Sequence, residues 1–62
     1  MKYIEFITTD DKRIYVNPEQ VKCIEENGDH AFIRFEYGNY YVVKSDVDTV
    51  AALLQGGVDN DM

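Results

Sequence analysis

YYVVKSDVDTVAALLQGG, Tyr40–Gly57, reads as a β-strand that passes through a helix cap into one amphipathic helix and stops at paired glycines. Val47, Val50, Ala51 and Leu54 follow the i, i+3, i+4, i+7 spacing of a single buried stripe. Ser45 is placed as the N-cap, its hydroxyl accepting from an orphan backbone N–H of the first turn. Asp48, three residues on, completes the S-x-x-D form of a capping box. Asp46 and Asp48 fall in the first turn, where the helix dipole favours negative charge. Gly56 and Gly57 supply the stop. A helix of about ten residues does not stand alone in water. It needs a surface to cover, and everything before it reads as sheet.

Working outward, Lys2–Thr8 alternates, with Ile4 and Phe6 on one face and Tyr3, Glu5 and Ile7 on the other. A polar turn at Thr9–Asp11 leads to a second strand, Lys12–Asn17, with Ile14 and Val16 on the core side and Arg13 and Tyr15 opposite; the two strands form a hairpin. Pro18 breaks the ladder, and one turn of helix fits across Pro18–Val21. Val21–Glu26 is the third strand. Val21 and Ile24 are three apart, so a turn or bulge must reconcile them if both are buried. Asn27-Gly28-Asp29 is a hairpin turn into the fourth strand, His30–Tyr37, where Ala31, Ile33 and Phe35 alternate with Phe32, Arg34 and Glu36. Gly38-Asn39 turns the chain into the fifth strand, Tyr40–Lys44. A two-residue loop places Tyr40 and Val42 with Phe35; a three-residue loop with a glycine bulge places Tyr41 and Val43 there, and the second register is preferred. The expected fold is α+β, a five-stranded antiparallel meander with one C-terminal helix packed on one face. Residues 1–57 make a single small domain, and 58–62 are expected to be a disordered acidic tail.

Composition narrows the function classes. A chain of 62 residues has a small core and is marginally stable alone. Its one cysteine, Cys23, permits no intrachain disulfide, so self-association is the expected staple. Twelve acids against six bases give a net charge of −6. That is a poor surface for phosphate contacts, and no direct nucleic-acid binding is expected. An acidic balance suits attraction to a basic partner. The segment MKYIEFITT lacks the apolar core of a signal peptide, and no apolar run approaches the ~20 residues that cross a membrane. A lone cysteine fits a reducing compartment, and the expected location is cytoplasmic, the host cytoplasm if the chain is viral.

The run VNPEQVKCIEE, followed by a strand and then G-x-Y-Y-V-V-K-S-x-V-x-x-V, resembles the small flagellar FlbD-like proteins over Ile14–Leu54. The tightest part is Tyr41–Val50, where Tyr41, Val42, Val43, Lys44, Val47 and Val50 fit, with Asn17, Pro18, Ile24 and Glu25 upstream. Tyr37 and Tyr40, beside the hairpin glycine, depart from that pattern. The resemblance implies a role linked to flagellar gene clusters and no catalytic residues.

No phosphate-binding glycine motif is present. Cys23 and His30 are the one nucleophile–base pair to weigh, and they read as a buried structural cysteine and a solvated histidine. Glu25, Glu26 and Asp29 cluster near a turn without the ordered oxygen spacing of a calcium loop. No catalytic residue, cofactor or metal site is expected. The tyrosines are the more informative feature. One helix covers one face of the sheet, which leaves Tyr3, Ile7, Tyr15, Phe32 and Tyr40 on the other, as an aromatic interface. The expected function is a non-enzymatic protein-interaction module, acting through that face or an exposed edge, whose partner is itself in a homodimer. One alternative is an acidic phage-encoded inhibitor that occupies a basic groove of a host factor. The other is a small-molecule-binding oligomer.

Overall fold

The structure, a computed structural model, describes residues 2–57. The expected tail at 58–62 lies outside the described residues. Five strands and one helix follow in the expected order: β1 (Ile4–Ile7), β2 (Arg13–Val16), β3 (Val21–Asn27), β4 (His30–Phe35), β5 (Tyr40–Val43) and α1 (Val47–Gly57). They do not form one meander. β1 and β2 make a two-stranded antiparallel sheet, and β3, β4 and β5 a three-stranded one in that order. β2 and β3 are sequence neighbours that do not pair, because the chain between them turns through a single 3₁₀ turn, Pro18–Gln20. Proline suits the first position of that turn, where its missing N–H has no partner to lose. Asn17 caps it by accepting from the Glu19 N–H at 3.0 Å. The sheets meet instead at β1 and β5. Thr8 forms an isolated bridge with Val43, and the N–H groups of Thr9 and Lys44 donate to the carbonyls of Val42 and Ile7, each at 2.9 Å.

The turns carry the registers. Gly28 has φ +61° at the first loop position between β3 and β4, the place a type II′ turn reserves for glycine. Between β4 and β5, the Gly38 N–H donates to the Phe35 carbonyl and the Phe35 N–H to the Asn39 carbonyl, both at 3.0 Å. With Gly38 at φ +99°, that is a three-residue loop closed by a glycine bulge. It sets Tyr41 opposite Ile33 and Val43 opposite Ala31, the preferred register. The bulge expected in β3 lies between Val21 and Cys23, so Val21 and Ile24 both reach the core.

The core lies between the inner faces of the two sheets and under α1. It holds Phe6 and Val16 from the first sheet, Ala31, Ile33, Phe35 and Val43 from the second, and Val50 from the helix. Ile4, Ile14, Val21, Ile24, Val47 and Leu54 pack around it. Tyr41 was expected in this core, but it is 41% exposed. It stands at the rim, its ring edge-on to Phe35 at 5.8 Å, where the phenol oxygen keeps its water.

The helix starts one residue later than the spacing implied. Asp46, not Ser45, is the N-cap: its Oδ1 accepts from the Thr49 N–H at 3.1 Å, and its carbonyl accepts the first helical bond from Val50 at 3.0 Å. Either side chain is chemically able to cap. Val47 and Val50 must both face the core, and that phase leaves Asp46 at the boundary. Gly56 and Gly57, expected to stop the helix, form its last two residues. Hydrogen bonding to Thr49, side chain first and backbone second, holds the Asp46 carboxyl below the usual carboxylate range. A carboxyl with a depressed folded pKa adds stability above its unfolded value of about 4, and that contribution is lost as pH falls through the folded pKa. Asp46→Ala is therefore expected to lower the thermal midpoint at neutral pH, with the gap to wild type narrowing below about pH 4. Ser45→Ala is expected to be silent. Melts of both variants at neutral and acid pH check this, and a larger loss from Ser45→Ala would reverse the assignment.

Candidate functional site

The side chains that face away from the core form two outer faces. On the first sheet these are Tyr3 and Tyr15, more than half exposed, and Ile7 at the exposed end of β1. Glu5 sits opposite Tyr15, with Arg13 at 3.8 Å from its carboxylate. On the second sheet they are Phe32, Arg34, Tyr40 and Val42, with Cys23 and Glu25 from β3 alongside. The five residues expected to form one interface are thus divided, Tyr3, Ile7 and Tyr15 on one sheet, Phe32 and Tyr40 on the other. Division follows from the break at Pro18, which sends β3 to a different sheet from β2.

The second outer face has a defined centre, Arg34. Its Cζ lies 5.5 Å from the Phe32 ring centroid and 5.4 Å from that of Tyr40. The two rings meet edge to face at 5.7 Å. Arg34 Nη2 donates to Glu25 Oε1 at 3.2 Å across the β3–β4 pair. This bond, and then the Glu25 charge, raises the guanidinium pKa further above its already high value, so the group stays charged. Phe32 is half-buried under these contacts, not freely exposed. Arg34 and Glu25 were absent from the expected interface. Their place was legible, since Phe32 and Arg34 are two apart on one strand and must share a face.

Cys23 is exposed, not buried. Ile24 takes the inward position, so strand alternation turns Cys23 outward. His30 is half-buried, not solvated, with Nδ1 3.3 Å from the Lys44 carbonyl. Cys23 pairs with Arg34 and His30 with Asn27, at opposite ends of the hairpin, so the two do not form a nucleophile–base pair. Among the described residues, no three His, Cys, Asp or Glu side chains gather as a metal site, and no helix is long and apolar enough to cross a membrane.

Among the described residues, an open groove of about 450 Å³ lies between β3 and α1. Val21, Lys22, Cys23 and Ile24 form one wall, Ala51, Leu54 and Gln55 the other, with Pro18 at the end. Among the described residues β3 pairs with β4 alone, and its other edge runs beside this groove.

Fold and surface together define a small α+β domain with aromatic side chains on its outer faces. A family model described as FlbD, flagellar and swarming motility proteins, matches residues 3–55. The chain belongs to that family. Neither the curated proteins nor the solved structures gave a match.

Proposed function

We propose that this chain is a non-enzymatic interaction module of flagellar and swarming motility, working in the cytoplasm as a homodimer and meeting a further protein through its outer aromatic surface. The observation that carries the reading is Arg34, held over Phe32 and Tyr40 and tied to Glu25 on a face opposite the helix. Arginine and tyrosine dominate the residues that anchor protein interfaces. An arginine already fixed by two rings and a carboxylate loses little freedom on binding. Family membership supplies the biological setting.

The test is complementation of swarming in a motile strain deleted for this gene. Tyr15→Glu changes an exposed position and Arg34→Ala a half-buried one at the surface; both are expected to keep the wild-type circular dichroism spectrum, with the melt close to wild type for Tyr15→Glu and modestly lowered for Arg34→Ala. Both are expected to fail to restore swarming. Full swarming with both folded variants would remove the outer surface from the function.

A further inference from the structure

We infer that the homodimer forms through the outer face of the first sheet, Tyr3, Glu5, Ile7, Arg13 and Tyr15, and leaves the second sheet's outer face, with Arg34, to the further protein. This rests on the homodimer reading above and names the surface it uses. The first sheet holds the rings that nothing else engages. Among the described residues, Tyr37, Tyr40 and Tyr41 each lean on a phenylalanine ring, whereas Tyr3 and Tyr15 meet no other ring and are more than half exposed. Ile7 adds a third exposed apolar side chain to the same face. Covering these three is favourable in proportion to the apolar area taken from water.

Charge decides what covers this face. The chain carries −6, and so does a second copy, so an acidic stretch of surface repels it. Many of the acids lie in turns and at the helix start: Asp10 and Asp11 before β2, Glu19 in the 3₁₀ turn, Asp29 before β4, and Asp46 and Asp48 at the entry to α1. On the outer face of β1 and β2 the charges are Glu5 and Arg13, one of each sign. Arg13 Nε stands 3.8 Å from the Glu5 carboxylate with both side chains exposed, a loose pair that contributes little within one chain. Arg34, by contrast, is held at 3.2 Å by Glu25 and lies over two rings. A two-fold axis along the strands, between β1 and β2, lays β1 of each copy over β2 of the other. Glu5 then faces Tyr15 of the second copy, and Ile7 faces its Arg13. Facing sheets stand about 10 Å apart, which brings Arg13 of each copy within reach of Glu5 of the other, twice by symmetry. The face is thus complementary to itself, with four tyrosines and two isoleucines between two exchanged ion pairs. Water driven off by the rings strengthens those pairs beyond their value on the open surface. The face is small, so the dissociation constant is expected on the order of micromolar.

A charge swap tests the face on the full chain. Glu5→Arg and Arg13→Glu are each expected to raise the dimer dissociation constant by about tenfold or more, read by light scattering on a sizing column across a concentration series. Glu5→Arg brings the net charge of −6 nearer zero, so a dimer governed by overall charge alone would tighten instead. The equimolar mixture of the two variants is expected to dimerise, because in the heterodimer both crossing pairs again join opposite charges. The double variant Glu5→Arg/Arg13→Glu keeps the net charge of −6 and is expected to dimerise as wild type. Arg34→Ala, on the other sheet, is expected to keep the wild-type dissociation constant. Single variants that dimerise like wild type, or a mixture that stays monomeric, would overturn the assignment of this face. A dimer that survives both swaps but is lost in Arg34→Ala would move the interface to the second sheet and leave the homodimer reading standing. A wild-type chain that stays monomeric at every concentration would remove both.

Discussion

Phe35→Ala is expected to bring this domain close to unfolding at room temperature. Phe35 is 4% exposed and fills the core between Val21 of β3 and the Tyr41 ring, with Tyr37 stacked at 5.4 Å. Removing a buried phenylalanine ring costs about 3–5 kcal/mol, part transfer and part cavity. At roughly 0.05–0.15 kcal/mol per residue, a domain of this size has a total stability on the order of 3–9 kcal/mol. The loss therefore consumes a third of the total at the least. Urea unfolding followed by near-ultraviolet circular dichroism measures it, and a midpoint shifted only slightly would mean that the ring is not part of the core.

The second large effect is expected at Val50→Asp. Val50 is fully buried, the one helical side chain wholly inside the shared core. A carboxylate there has no partner and costs several kcal/mol, or stays protonated at a similar cost. The helix has 11 residues and depends on that contact to exist. Far-ultraviolet circular dichroism should show loss of helix together with loss of the tertiary signal. Thr49→Asp, one position earlier on the exposed side, is the control and is expected to stay folded. A folded Val50→Asp protein would show that the sheets do not need the helix.

Much of this was legible in the chain. The alternation through Ala31, Ile33 and Phe35 fixed the inner face of β4, because a strand facing water on one side cannot slip by one residue without exposing all three. Gly38 gave the loop length and through it the burial of Val43. The spacing of Val21 and Ile24 required a bulge, and β3 has one. What was not legible is how the hairpins dock. Nothing local in β2 or β3 says that they stay apart while Thr8 bridges Val43, since that choice depends on how Pro18 aims the chain. The cap was misplaced by one residue because Ser45 and Asp46 are both good caps and only packing of Val47 and Val50 separates them. The expected interface was drawn from four aromatic side chains and Ile7, without Arg34, because counting aromatics ignores the cation that two of them hold.

The bridge between Thr8 and Val43 also bears on the order in which the molecule assembles. The β1–β2 and β3–β4 hairpins are closed by short turns between sequence neighbours. Hairpins of this kind form in about 1–10 μs. The clasp between β1 and β5 joins segments far apart in the chain, and its flanking ion pair, Asp11 with Lys44, spans 33 residues. Closing a loop of that length carries an entropy cost that no local contact offsets beforehand. The chain therefore meets its slowest search at this clasp, where the two sheets close over the core they share.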